Sequence, residues 1–125
     1  MEMNLSNLGN VKIIGLTGKF DIESTEEFEE NFQRELKSKP PAIAIDMTKL
    51  DYIDSSGIGA LIKSLNSIKN NKGVLILFGL KSMILNIFKL AKLDLFFQIM
   101  TTDAFHAKYG QKDDSDIDDL LKKKM

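Results

Sequence analysis

Two serines stand between an aspartate and a pair of glycines in Asp54-Ser55-Ser56-Gly57-Ile58-Gly59-Ala60, directly after an extended run that ends in Tyr52-Ile53. Helical apolar spacing is readable from Ile58 onward, so the segment reads as the junction between a strand and a helix. A helix start exposes backbone N–H groups that lack an intrahelical partner. It accepts a side-chain cap, a free anion, or a phosphate carried by a hydroxyl. Gly57 and Gly59 fall in the expected first turn, where each is less favourable than alanine by about 1 kcal/mol. Small size there points to the close approach of another backbone, of a partner surface, or of a phosphate on the exposed N–H groups. An ordinary N-cap with a tight turn accounts for the same residues without a site.

The remaining reactive groups are weaker centres. Asp46, Asp51 and Asp54 surround one expected strand end, and Asp21 joins them if the turn after the first long strand folds to the same edge. Grouped carboxylates hold Mg²⁺ or work as acid and base. Aspartates are equally favoured in turns and caps for local reasons, so no metal site is assigned. Gly15-Leu16-Thr17-Gly18-Lys19 invites comparison with a phosphate-binding loop, but its glycines are too close and Phe20 replaces the hydroxyl residue that binds Mg²⁺. His106 is the single histidine and cysteine is absent, which leaves no histidine or thiolate metal cluster. No catalytic residue and no cofactor is assigned.

The elements that must position the junction follow from periodicity. Val11 to Gly18 reads as a strand entering a turn, with Leu5 to Leu8 beginning the same hairpin. Ser24-Thr25-Glu26-Glu27 has the form of a capping box, and Phe28, Phe32 and Leu36 give the following helix one apolar face until Lys39-Pro40-Pro41 stops it. Ala42-Ile43-Ala44-Ile45, closed by Asp46, reads as a strand buried on both faces of a parallel sheet. After the junction, Ile58, Leu61, Ile62, Leu65 and Ile68 form the stripe of a second helix, ended by Asn71-Lys72-Gly73. Val74 to Phe78 is a further buried strand. A helix from about Ser82 to Lys92, with Ile84, Ile87, Phe88 and Ala91 on one face, a strand near Phe96 to Met100, and a helix opened by Thr102-Asp103 and closed by Gly110 complete the alternation. This order implies an α/β fold with helices on a mostly parallel sheet.

Composition bounds the rest. A chain of 125 residues makes one domain with its own core. With 43% hydrophobic and 28% charged residues and a formal net charge of -1, it has no global attraction to nucleic acid or to an anionic membrane surface. The amino terminus shows no signal-peptide pattern, and the longest apolar run is too short to span a bilayer. With cysteine absent, a cytoplasmic location is the simplest expectation. Residues 1–110 are expected to form the domain. Residues 111–125 read as a charged C-terminal tail, either without order or as a short helix in which Ile117, Leu120 and Leu121 share a face.

With these pieces in place the chain resembles the STAS domain family, in particular the stand-alone anti-sigma factor antagonists of bacteria. Gly18-Lys19-Phe20-Asp21 is similar to the family's glycine-x-x-aspartate turn, Ala44-Ile45-Asp46-Met47 to its second core strand, and Tyr52 to Leu61 to its phosphorylation loop. Gly73 to Leu77 and Leu90 to Phe96 resemble its later strand and the turn before its last strand. The resemblance spans about residues 8 to 109; the tail has no counterpart in it. It implies a STAS-like mixed, mostly parallel β-sheet packed with about four α-helices. It also implies a regulatory module rather than an enzyme. Such a module binds an anti-sigma factor that is a serine-protein kinase, is phosphorylated on the serine matching Ser56, and is restored by a PP2C-type phosphatase, so regulating sigma-factor-dependent transcription. Asp21, Asp54, Ser55, Ser56, Gly57 and Gly59 match positions at that partner surface. The alternative expectation is a STAS-like module that binds a small ligand or nucleotide on the same N–H groups. Oligomeric state is not fixed by the sequence.

Overall fold

A two-residue turn at Gly9-Asn10, with Gly9 at φ +62°, starts the sheet by folding β1 (Glu2–Leu8) antiparallel onto β2 (Val11–Phe20). The computed structural model describes residues 1–110; the expectation for a tail at 111–125 lies outside the described residues. From β2 onward each strand returns through a helix: α1 (Thr25–Leu36), β3 (Ala42–Ile53), α2 (Ser55–Asn70), β4 (Val74–Phe78), α3 (Ser82–Leu90), a short 3₁₀ turn at Leu93–Leu95, and β5 (Gln98–Met100). α4 (Thr102–Phe105) then continues into a π turn over His106–Gly110. The strands lie in the order β1-β2-β3-β4-β5, with the β1–β2 pair antiparallel and the other pairs parallel. The mixed, mostly parallel sheet with four α-helices is therefore observed.

The apolar strands are buried on two faces. On one, Ile14, Leu16, Ile43, Ile45, Met47, Leu75 and Leu77 meet Phe28, Phe32, Leu36, Leu61, Ile68, Ile84 and Phe88 from α1, α2 and α3. On the other, Val11, Ala42, Ala44, Ile76 and Phe78 lie under Phe105, whose ring stacks on Phe78 at 4.1 Å. Side chains alternate across a strand, so a run such as Ala42-Ile43-Ala44-Ile45 feeds both layers. At about 25 cal/mol per Å² of apolar area, each large side chain so buried supplies roughly 1.5 to 3 kcal/mol of driving force.

Several local expectations need correction. β3 does not close at Asp46 but runs on to Ile53. Met47, Leu50 and Ile53 remain buried, Leu50 and Ile53 paired with Gly18 and Phe20 of β2, while Asp46 is satisfied locally by the Thr48 amide at 3.0 Å and hydroxyl at 2.7 Å. β2 likewise passes through Gly18 and ends at Phe20, so the turn starts at Asp21. Ser24 precedes α1 but does not form a capping box. It sits in helical conformation, and its buried hydroxyl donates to the Lys19 carbonyl at 3.2 Å and to the Asp21 carboxylate at 3.3 Å. Ile62 is 38% exposed, because the buried face of α2 is completed by Gly57, Ala60 and Ser64 instead. Ala91 and Phe96 are exposed where a buried helix face and a strand start were expected, since α3 ends at Leu90 and β5 begins at Gln98. α4 does open at Thr102 as expected, with Thr101 as its N-cap, accepting from the Ala104 amide at 3.0 Å.

Candidate functional site: the junction of β3 and α2

Register brings two strand ends together. β2 and β3 run parallel with Phe20 opposite Ile53, so the next residues, Asp21 and Asp54, leave the sheet at the same edge. The Asp54 amide donates to the Phe20 carbonyl at 3.3 Å, which ties the start of the junction to the end of β2. Asp54 is the N-cap of α2, in extended conformation, and α2 begins at Ser55, earlier than the apolar stripe alone indicates. One oxygen of the Asp54 carboxylate accepts from the Ser56 amide at 2.9 Å and the Gly57 amide at 3.2 Å. The Ile58 amide is taken by the Asp54 carbonyl at 3.0 Å. The first-turn donors that would hold a free anion at Ser56 and Gly57 are thus already engaged by a fixed negative group. A phosphate there would have to displace an aspartate.

The two glycines have different reasons to be small. A β-carbon on Gly57 would lie 2.7 Å from the Phe20 carbonyl oxygen and 2.8 Å from Ile53 Cγ1, so α2 packs its first turn directly on the end of β2. Gly59 has nothing within 4 Å of such an atom and is exposed. Close approach within the chain accounts for the first and for none of the second.

Around the junction the side chains sort themselves clearly. Ser55 is exposed and Ser56 half-buried, and among the described residues the Ser56 hydroxyl makes no hydrogen bond to protein. Ser56 and Gly59 line an open groove of about 450 Å³ between the start of α1 and α2, together with Ile22, Thr25, Ile62 and Lys63. Ile22 is 68% exposed, so the groove carries two unburied isoleucines beside the serine. The Glu29–Lys63 ion pair, at 3.3 Å, closes its far side. Asp21 turns inward to its own loop, accepting from the Glu23 amide at 3.1 Å and from Ser24.

Ile22 and Ile62 were not legible as surface residues: Ile62 matches the helical stripe, and Ile22 stands alone in a charged turn. An exposed isoleucine between Asp21 and Glu23 is the one signal that could have marked the groove.

The carboxylates considered as a group do not converge. Asp46 bonds Thr48, Asp51 pairs with Lys81, Asp54 caps α2, and among the described residues no three histidine, cysteine or acidic side chains are placed to share a metal ion. Gly15 to Lys19 lies inside β2, with Gly15 and Thr17 paired to both neighbouring strands and Gly18 and Lys19 to β3, and forms no phosphate cradle. His106 is exposed, with its ring edge on Phe78 and Phe105 at 6.0 and 5.5 Å, on the opposite face of the sheet from α2. Among the described residues no helix is long and apolar enough to cross a membrane.

Comparisons with known proteins agree with this arrangement. The chain is 25% identical over 80 residues to the anti-sigma-B factor antagonist of Listeria monocytogenes, an alignment covering 64% of this chain and 70% of that protein. Its fold is similar to that of a putative anti-sigma factor antagonist from Thermotoga maritima, with a TM-score of 0.78 and 20% identity over 86% of this chain and 93% of the other. It is also similar to the Bacillus cell-fate determinant SpoIIAA in its phosphorylated form, with a TM-score of 0.67 and 17% identity over 86% and 98% of the two chains. The sequence profile of the STAS domain matches residues 2–106, from β1 into the turn after α4. On that match, and on the sheet and helices that carry it, this chain belongs to the STAS domain family.

Proposed function

We propose that this chain is an anti-sigma factor antagonist switched by phosphorylation of Ser56. In its unmodified form it binds an anti-sigma factor that is also a serine-protein kinase, through the groove lined by Ser56, Gly59, Ile22 and Ile62. Phosphorylation releases that partner, and a PP2C-type phosphatase restores binding, with sigma-factor-dependent transcription as the output. The observation that carries this reading is the state of Ser56: its amide is fixed by Asp54, while its hydroxyl has no protein partner and lines an open groove with apolar rims. A hydroxyl so placed is positioned by the fold but not used by it. The name of the Listeria relative and the phosphorylated form of the Bacillus neighbour support the same reading.

Local electrostatics make such a switch economical. A phosphoryl group adds about -1.5 to -2 charges at neutral pH. At a helix start it gains on the order of 0.3 to 1 kcal/mol from the macrodipole, offset here by the neighbouring Asp54 carboxylate, so the fold itself is little affected. Covering the groove with a partner would instead strip water from that charge beside Asp54. Each ~1.4 kcal/mol of this cost weakens binding tenfold. Asp21 and Asp54 act through position, Asp21 by ordering the turn before α1 and Asp54 by capping α2, and Gly59 leaves room for the partner's backbone. The reading gives this chain no catalytic residue and no cofactor.

The test is intact-mass analysis and peptide mapping of the protein isolated from its own cells, grown and stressed, with Ser56→Ala as control. One phosphoryl group on Ser56 whose occupancy varies with condition is the expected result. A chain that stays unmodified in every condition, and that no extract fraction phosphorylates, would end the proposal.

A further inference from the structure

We propose that two copies of this chain pair through the free edge of β5, antiparallel and strand against strand, about a two-fold axis at Ile99. β5 closes the strand order β1-β2-β3-β4-β5, and among the described residues no strand lies beyond it. The Gly79 amide donates to the Met100 carbonyl at 3.1 Å, so Met100 turns its backbone groups toward β4. Successive residues of a strand turn theirs to opposite sides, which points the Ile99 N–H and C=O away from β4. Among the described residues no turn or loop takes either group. In an antiparallel pair, two directly opposite residues exchange both N–H···O bonds. Ile99 is the middle residue of β5, so a second copy can supply it with its own counterpart.

The surroundings of the edge select its occupant. An edge strand that stays single is defended by polar or charged side chains. β1, at the other end of the sheet, is of that kind, exposing Glu2, Asn4, Ser6 and Asn7 beside one large apolar residue, Leu5. β5 is approached differently. The turn Leu93–Leu95 touches both α3 and β5, and Leu95 and Phe96, just before the strand, are 76% and 66% exposed. Leu90, at the end of α3, is 85% exposed. Alongside, a cavity of about 780 Å³ opens between α3 and β5, with Leu80, Leu85, Phe97, Ile99 and Met100 in its wall.

Area favours the same occupant. Burying one large apolar side chain removes about 60 to 120 Å² from water, so Leu90, Leu95 and Phe96 supply roughly 200 to 350 Å² per copy. A stable interface takes about 800 Å² per partner, which leaves the strand edge and the mouth of the cavity to provide the rest. A two-fold contact sets this apolar edge against itself and closes at two copies. Joining β5 of one copy to β1 of the next would set it against a polar edge and run on without closing. The cavity beside β5 shares no residue with the groove at Ser56, so the pairing is independent of the proposed switch.

The test is sedimentation equilibrium of the full-length chain, joined to cross-linking that the absence of cysteine makes clean. A concentration-dependent dimer is expected. Only a residue on the axis meets its own counterpart, at a Cα separation of about 5.5 Å that a disulfide can bridge. Ile99→Cys should therefore link two copies under mild oxidation, and Leu5→Cys on the β1 edge should not. Leu95→Glu with Phe96→Glu changes two exposed positions and should weaken the dimer at least about tenfold while thermal unfolding of the monomer stays close to that of the parent. A chain that is monomeric at every concentration would overturn the proposal. So would a dimer that the double variant leaves intact, or one linked by Leu5→Cys instead. A monomer whose Ile99 amide is still protected from hydrogen exchange would overturn it too, because a segment of the same chain would then cover the edge.

Discussion

A β-carbon at Gly57 would stand 2.7 Å from the Phe20 carbonyl oxygen, the same oxygen that accepts the Asp54 amide. The start of α2 is thus seated on the end of β2 with no space for a side chain. Gly57→Ala is expected to destabilise the domain by about 1 to 3 kcal/mol, the usual cost of forcing atoms into a packed contact. Gly59→Ala meets open space and should be neutral or stabilising by up to about 1 kcal/mol from helix propensity. Urea titration of the two variants checks this. Equal effects would mean that the packing of the junction differs from the one described.

The Asp54 cap supplies the second prediction. Its carboxylate holds two first-turn amides, so Asp54→Ala should lose about 0.5 to 2 kcal/mol of stability. Asp54→Asn keeps a cap of similar rank and should recover most of it. A full loss in the asparagine variant would show that the charge, rather than the hydrogen bonds, holds the turn.

Substitutions in the groove separate folding from binding. Ser56→Asp and Ile62→Ser alter a half-buried and an exposed position, so both should stay within roughly 0.5 kcal/mol of the parent in thermal unfolding. On the proposed function, both should weaken binding to the anti-sigma factor at least about tenfold, an effect of ~1.4 kcal/mol, while Ser56→Ala binds as the parent does. Calorimetry with the purified partner decides this. A Ser56→Asp chain that binds like the parent would remove the charge mechanism.

Free nucleotide provides a fourth prediction. With the Ser56 and Gly57 amides occupied by Asp54, ATP and GTP should leave the melting temperature unchanged. A ligand that binds the folded state at 100 times its Kd would add about 2.7 kcal/mol, which a thermal scan detects readily. Such a rise would favour the ligand-binding alternative.

The sequence by itself determined the elements and their order, because hydrophobic period is a local property. Phe28, Phe32 and Leu36 at four-residue spacing fit one face of a helix, and the apolar run from Val74 to Phe78, too short for a helix and bounded by Gly73 and Gly79, forms a strand that buries Leu75 to Phe78 and leaves Val74 exposed. The Asp54-Ser55-Ser56-Gly57 junction was legible for the same reason, as an extended run meeting a helical one. Side-chain partners across the fold were not legible. Ser24 gives up its cap for Lys19 and Asp21, Ile62 leaves the core for a groove rim, and Asp51 spends its charge on Lys81.

Only the tertiary structure decided why Gly57 and Gly59 differ and whether the junction's donors are free. Both answers depend on the β2–β3 register, which sets Phe20 against Ile53 and so places a carbonyl where Gly57 must pass. Register is fixed by burial on two faces of a sheet, a sum over residues far apart in the chain. No local pattern within the junction contains it.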